Sequence, residues 1–236
     1  MHWFFWYNYY MVQIRKDPLE NNQYYHIFNR SISKFVVFNN PSEFKRMYRL
    51  IELYRFGDIC YRYSDFNNFD FSTKKKMLDK LTDNNNILVE IIAFCLMPTH
   101  IHLILKQNVD KGISKFIGRI LNGYSRYFNV KHKRIGPLWS GRFKNVLVSD
   151  DIQMLHLTRY IHLNPTSAGL VDKPENWQYS SYNEYINKTG KNLIICKFQD
   201  VVDKRPDAYK KFVEDRKSYQ RELSLIKNIL IDDYSG

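Results

Sequence analysis

Hydrophobic and polar positions follow two different periods along the chain. The segments 87–96 (ILVEIIAFCL) and 100–106 (HIHLILK) are rich in apolar and β-branched residues, which is typical of buried strands. In the segment 111–132, apolar residues recur at three- and four-residue spacings, which predicts an amphipathic helix. In chain order, the pattern predicts a strand over 23–30, a helix over 39–56, strands over 87–96 and 100–106, a helix over 111–132, a strand over 143–149 and a helix over 150–164.

This order of elements predicts the fold class. Its first six members match the split βαβ arrangement, so we expect an α+β protein with a ferredoxin-like antiparallel sheet (βαββαβ) and helices on one face. A further helix carrying Tyr160 and a helical C-terminal extension follow it. We predict a leader over 1–22, a main domain over 23–190 and an accessory helical region over 191–236, with helices over 206–215 and 216–230. Residues 57–86 are polar and turn-rich with one short helix, and we interpret them as an excursion from the main domain.

The composition indicates the kind of binding partner and the cellular compartment of the protein. Lys and Arg number 36 against 24 Asp and Glu, and the resulting net charge of +12 favours a polyanionic partner, nucleic acid ahead of an acidic membrane surface. Cys60, Cys95 and Cys196 form no CxxC pair, so we predict neither a disulfide framework nor a cysteine zinc site. A reducing cytoplasm fits this usage best.

A basic stretch interrupts the mixed charge of the chain. Residues 111–149 contain no Asp or Glu, and their cations alternate with aromatic residues, a pattern that suits phosphate contacts with base stacking. A solvated helix face with aromatic residues in the core is the alternative for most of these positions. The turn-rich connector 136–144 (GPLWSGRFK) is the part that packing explains least. We predict the following DNA-binding residues: Arg126, Arg134, Trp139, Arg142 and Lys144.

Two histidines stand one residue apart at the start of a predicted strand. Side chains alternate along a strand, so His100 and His102 project from the same face and form a two-pronged candidate ligand. An isolated HxH is equally compatible with two histidines that are hydrogen-bonded for structural reasons.

The last predicted helix supplies a second candidate group. Tyr160 and Asn164 lie four residues apart, and therefore on one helix face, with His156 one turn earlier. A phenolic oxygen can attack a phosphodiester when a metal polarises the phosphate, and an amide oxygen can complete the metal's ligands. The alternative is that Tyr160 only packs, since the chain has 18 tyrosines.

Taken together, these motifs resemble a known family. The segments are YYHIFNRSISK, MPTHIHLIL, YFNVKHKRIGPLWSGRFKNVLV, LTRYIHLNPTSAGLV and NWQYSSYNEYI, in that order. They resemble the single-tyrosine HUH transposases of the insertion-sequence type, and within them the REP-associated tyrosine transposases. The resemblance extends over residues 24–186.

The resemblance implies roles for four residues. His100 and His102 correspond to the HUH metal ligands, and Tyr160 corresponds to the nucleophile. Asn164 stands where relatives place a third polar ligand, commonly glutamine. The family's ion is usually Mg²⁺ or Mn²⁺, although two imidazoles and an amide also suit zinc or nickel.

The resemblance also implies an activity and its setting. The expected activity is nicking and strand transfer of single-stranded DNA at hairpin-associated sites through a covalent 5′-phosphotyrosine, in the cytoplasm of a prokaryote at its nucleoid. A homodimer would allow the tyrosine helix of one subunit to serve the histidines of the other, with VSDD (148–151) as the hinge. Two alternatives stay open: a domesticated single-stranded nucleic-acid-binding protein that does not cleave, and a metal phosphodiesterase that uses water.

Overall fold

Four strands form the central sheet of this computed structural model, which describes residues 15–59, 61–83, 86–190 and 194–215. The strands are β1 (Tyr24–Arg30), β2 (Val89–Met97), β3 (His100–Gln107) and β4 (Lys144–Val148). All pairs are antiparallel and the spatial order is β2-β3-β1-β4. Helices lie between β1 and β2 and between β3 and β4, while β2 and β3 follow each other directly, so the predicted ferredoxin-like α+β fold is confirmed.

Helices account for about half of the remaining described residues. They are α1 (Pro41–Tyr54), α2 (Tyr63–Asn68), α3 (Phe71–Asp83), α4 (Gly112–Lys131), α5 (Asp151–Ser167), α6 (Tyr182–Tyr185) and α7 (Pro206–Glu214). The excursion at 57–86 thus contains two helices where one short helix was expected. Phe66 and Leu81 of these helices are buried, so the excursion packs apolar side chains of its own. No helix in the described ranges is long and apolar enough to cross a membrane.

The predicted end of α5 at Asn164-Pro165 is wrong, because the helix continues to Ser167. A proline removes one backbone donor and normally ends or kinks a helix. Here it stands in the last turn, where its fixed φ is compatible with the helix and only one hydrogen bond is lost. Pro165 is buried, and the N–H of Ala168 closes the turn onto the carbonyl of Asn164.

The two faces of the sheet are covered by different helices. Tyr48 of α1 contacts Phe94, with 5.8 Å between ring centroids, and α4 packs beside α1. Cys95, the next residue of β2, is paired with His102 and therefore points to the other side. Tyr160 of α5 lies on that side, with its ring 5.8 Å from the ring of His102. We call the side under α1 and α4 the packing face and the side under α5 the histidine face.

Parts of the predicted leader and extension also lie against the sheet. Asp17 accepts hydrogen bonds from the amide of Asn145 and the backbone N–H of Leu147, so residues 15–17 follow the outer edge of β4. The predicted helix near 206–215 is present as α7, which buries Tyr209 and Val213. Residues 1–14 and the helix predicted over 216–230 lie outside the described residues.

Candidate active site

The β2–β3 hairpin presents the paired histidines. His100 opens β3 and His102 follows on the same face, with ring centroids 4.9 Å apart and planes at 79°. Thr99 Oγ1 is 2.9 Å from His100 Nδ1. In the tautomer with the proton on Nδ1, the Nδ1–H group of His100 donates a hydrogen bond to Thr99 Oγ1. The lone pair of Nε2 is then left to bind a ligand. His102 is only 1% exposed, so the pair reaches from the surface into the interior.

A third histidine, which sequence reasoning missed, supports His102. His26 Nε2 lies 3.1 Å from His102 Nδ1, and the two rings are nearly parallel at 11°. In the tautomer in which His102 Nδ1–H donates to His26, Nε2 of His102 keeps its lone pair. The pKa of His102 is well below its usual value, first because burial disfavours the cation and then because His100, His26 and Arg30 are nearby. A neutral imidazole is the form that binds a metal ion.

The strand register brings His26 to this position. β1 and β3 pair so that His26 stands opposite Ile104, one place along the same face from His102. The alternation of YYHIFNR allows His26 to point to that face. Only the register, which the single sequence does not fix, places it beside His102.

Helix α5 carries the tyrosine and the amide to the same face. Asp150 caps its N-terminus by accepting a 2.8 Å hydrogen bond from the N–H of Gln153. Tyr160 is 4% exposed and meets the ring of His102 edge-on at 83°. Asn164 Nδ2 lies 3.5 Å from His102 Nε2. Rotating this amide by half a turn would present its oxygen in the same place.

A buried hydrogen-bond network holds α5 in this position. His162 Nδ1 lies 2.7 Å from the hydroxyl of Tyr209 on α7, and its Nε2 lies 2.8 Å from Ser181 Oγ. The Ser181 hydroxyl also donates to the carbonyl of Phe94 on β2. Burial lowers the pKa of His162 to about 3, so the ring is neutral and serves as a structural connector. The network therefore joins α5 to the edge of β2 and to α7.

The residues present fit a divalent ion. Two imidazoles and an amide match the nitrogen and oxygen ligands of several such ions. Within the described ranges, no group of three His, Cys, Asp or Glu side chains could hold a metal. A metal bound between His100 and His102 would therefore depend on Asn164 and on oxygen ligands from outside the protein.

Two of the predicted DNA-binding residues lie near the histidines. Lys144 pairs with Phe28 on one side of β1, and His102 pairs with Phe28 on the other, so Lys144 shares the histidine face. Arg142 is exposed just before β4. Lys144 therefore lies beside the candidate active site in the sheet, and Arg142 precedes it by two residues.

The other three predicted DNA-binding residues do not join them. Trp139 is 9% exposed and packs against the rings of Phe38 and Tyr124, so packing accounts for its ring. Arg134 donates hydrogen bonds to backbone carbonyls of the connector and so holds its shape. Arg126 is exposed on α4, the helix that covers the packing face.

Comparison with known proteins finds a similarity to the same group of transposases that the sequence motifs resemble. The family model described as "Transposase IS200 like" matches residues 58–164, a segment that contains His100, His102 and Tyr160 and ends at Asn164. Over this segment the chain is similar to the IS200-like transposases. The resemblance predicted from the motifs is confirmed.

Two individual proteins are similar to this chain. A Haemophilus influenzae protein described as a REP-associated tyrosine transposase is 31% identical over 104 residues, which are 40% of this chain and 59% of that protein. The chain thus matches less than two thirds of this relative's length. A solved structure of a REP-associated tyrosine transposase bound to a REP hairpin covers 82% of this chain and 95% of its own, at 15% identity and a TM-score of 0.49. A likeness at that level carries no conclusion about function.

Proposed function

We propose that this protein is a metal-dependent single-stranded DNA endonuclease and strand-transferase, a transposase that acts through a covalent 5′-phosphotyrosine at Tyr160. The observation that carries the proposal is the meeting of His102, Tyr160 and Asn164 on one buried face, contributed by a strand and a helix far apart in sequence. The match to the IS200-like transposases and the net charge of +12 support it.

The proposed step exchanges one phosphate ester for another. The Tyr160 oxygen attacks the scissile phosphorus and loses its proton, a Tyr–O–P bond forms, and the bond to the 3′-oxygen breaks. That oxygen takes a proton and leaves as a 3′-hydroxyl. Because the phosphotyrosine is itself an ester, a second 3′-hydroxyl can reverse the step without a nucleotide cofactor.

His100, His102 and Asn164 are the residues that would hold the divalent ion, which we propose to be Mg²⁺ or Mn²⁺. When bound, such an ion supplies Lewis-acid polarisation of a phosphate oxygen. The protein's own contribution is to fix His102 as a neutral ligand through burial and through the contact between His26 and His102. Arg142 and Lys144, beside the same face, would bind phosphates of the strand.

Access to Tyr160 requires movement. With the side chain 4% exposed, a phosphate reaches the phenolic oxygen only if α5 or its surroundings shift. We propose that α5 moves as a unit about residues 148–151, which lead into its first turn, and that a homodimer could exchange the two helices. In this proposal residues 23–190 form the catalytic domain, and the segments 1–22 and 191–236 are accessory.

The DNA substrate is proposed from the relatives. A relative described as a REP-associated tyrosine transposase resembles this chain over 104 residues, and the basic and aromatic stretch 111–149 suits single strands. We therefore propose that the substrate is single-stranded DNA with hairpin structure, which the protein meets at the nucleoid.

The test is a cleavage reaction on a denaturing gel with hairpin-bearing single-stranded DNA from the flanks of the gene. Tyr160→Phe removes only the attacking oxygen and should eliminate both the cut and the protein–DNA adduct while DNA binding persists. Tyr48→Phe is the matched control and should leave both intact, since Tyr48 lies on α1, which covers the packing face. Binding without an adduct in the unmodified protein would indicate a non-cleaving binding protein, and cleavage without an adduct would indicate a water nucleophile.

A further inference from the structure

The helical layer on the packing face contains a groove that the proposed chemistry does not use. Its volume is about 640 Å³, and it is lined by α1, α4, the first residues of α2 and the residues Ile59, Tyr61 and Arg62 before α2. Small-ligand sites span roughly 300–1,000 Å³, so the groove has the size of a binding site. Because α5 covers the histidine face, the groove and the histidines lie on opposite sides of the sheet.

The lining of the groove is basic and aromatic. None of the described residues that line it is Asp or Glu, whereas four are tyrosines. Its cations are Arg46, Arg62, Arg119, Arg126 and Lys131. Some of them have partners within the protein: Arg119 donates to the carbonyls of Phe56 and Gly57, and Lys131 pairs with Glu43. Among the described residues, no ion pair is formed by Arg46, Arg62, Arg119 or Arg126.

Arg46 is held in place by aromatic rings. Its guanidinium carbon lies 4.1 Å from the ring centroid of Tyr63 and 4.9 Å from that of Tyr127. Its Nε is buried and has no hydrogen-bond partner in the described part of the chain. A guanidinium fixed between rings loses little conformational entropy when it binds a phosphate, and its fork of donors matches phosphate oxygens. Arg46 is therefore preorganised for an anion.

Arg126 adds a second cation near the same rings. It is exposed, adjoins Tyr127 in sequence, and lies on the face of α4 that carries Arg119 seven residues earlier. Cations placed beside aromatic rings are the pattern by which proteins bind single strands, with phosphates on the cations and bases stacked on the rings. A base in a duplex is already stacked on its neighbours and cannot make that contact.

We propose that this groove binds unpaired DNA, with Arg46 and Arg126 on phosphates and a base against Tyr63 or Tyr127. The inference rests on the proposed function, because it takes single-stranded DNA as the ligand. The bound stretch is remote from the scissile phosphate, since the sheet separates the two sites. The groove is thus a second anchor that retains a flank of the DNA while its end is exchanged at Tyr160.

The test measures binding without chemistry. Fluorescence anisotropy of a labelled thymidine oligonucleotide in EDTA gives the dissociation constant over a series of salt concentrations. The double variant Arg46→Gln/Arg126→Gln should weaken binding at least about tenfold and reduce the salt slope by about 1.4, which corresponds to two phosphates of a single strand. Lys115→Gln is the control, because Lys115 is exposed on the same helix outside the groove. It should change binding by less than about twofold.

Two further variants separate binding from folding. Arg126→Glu alters only an exposed side chain and should weaken binding with an unchanged melting temperature. Tyr63→Leu keeps an apolar side chain but removes the stacking surface, and should weaken binding about tenfold. If the double variant and Arg126→Glu both bind like Lys115→Gln, the groove proposal is wrong.

The binding measurements test the groove separately from the proposed catalysis. An adduct in the cleavage assay together with unaltered binding by the groove variants would overturn the groove and leave the transposase proposal standing. Weakened binding by the groove variants, with no adduct in the unmodified protein, would support the groove and overturn the catalytic proposal.

Discussion

The two faces of the sheet both contain fully buried positions but differ in chemistry. On the packing face, Leu103 is 0% exposed and packs beneath α1 and α4 among other apolar side chains. On the histidine face, His102, its neighbour in β3, is 1% exposed and faces His26 and Tyr160. The same strands therefore support an apolar core on one side and a polar cluster on the other.

The difference shows which face is built for stability. Burying a polar group costs free energy unless it is hydrogen-bonded, and apolar residues of similar volume would avoid that cost. The contacts of His102 with His26 and Asn164 offset the cost without the gain that leucine would give. The polar cluster on the histidine face is therefore better explained by a role in ligand binding or catalysis than by stabilisation of the core.

The largest expected effect is on cleavage by His102→Ala. Losing one ligand should lower the cleavage rate by a factor of about 10² or more, comparable to removal of one preorganised catalytic group. The gel assay at saturating DNA measures it. DNA affinity should change little, because Arg142 and Lys144 remain; retained metal-dependent cleavage would show that His102 is structural.

The complementary change on the packing face is Leu103→Ala. Removing this buried side chain should lower the free energy of unfolding by about 2–5 kcal/mol, as measured by urea denaturation. Cleavage per folded molecule should persist, because the side chain points away from the histidines. A loss of cleavage as complete as that of His102→Ala, in protein shown to be folded, would contradict the division between the faces.

The positioning role of His26 predicts a smaller effect. His26→Leu fills a similar volume with an apolar side chain but removes the hydrogen-bond acceptor for His102 Nδ1. The affinity for the metal ion should therefore fall about 10- to 100-fold. Titration of Mn²⁺ followed by calorimetry measures this directly. His26→Gln retains an acceptor and should recover part of the affinity, whereas equal affinities of the two variants would rule out the hydrogen bond as the cause.

The smallest effect concerns acid stability on the packing side. Glu43 is fully buried, which raises its pKa, but hydrogen bonds from Lys131, Asn39 and His132 outweigh burial and lower the pKa to about 2. A pKa lower in the folded than in the unfolded state gives stability that is present above pH 4.5 and lost as the pH falls towards 2. Glu43→Gln should flatten the fall in unfolding free energy across this window. If the unfolding free energy of the variant depends on pH in the same way as that of the unmodified protein, the hydrogen bonds to Glu43 do not cause the loss of stability in acid.

Much of the fold was predictable from the sequence, because periods of two and of three to four residues separate strands from helices. The end of α5 was not, because the tolerance of Pro165 in the last turn depends on its tertiary packing. His100, His102, Tyr160 and Asn164 were recognisable by spacing and by family resemblance. His26 was not, because strand register places it beside His102.

The residues of the groove and of the connector 136–144 show a second limit of prediction from the sequence. The burial of Trp139 and the position of Arg126 on the far side of the sheet depend on how helices and loops pack. A count of cations and aromatic rings along the chain contains no such information. The sequence therefore indicated a DNA-binding surface without dividing it between the two faces.

The most direct test of the central claim is to locate the covalent bond itself. The unmodified protein is incubated with Mn²⁺ and hairpin-bearing single-stranded DNA, digested with nuclease and protease, and analysed by tandem mass spectrometry. The account predicts one nucleotide phosphate attached to Tyr160 and an adduct that disappears in EDTA. A phosphate attached instead to another tyrosine, such as Tyr127, would contradict the assignment of the histidine face as the site of the chemistry.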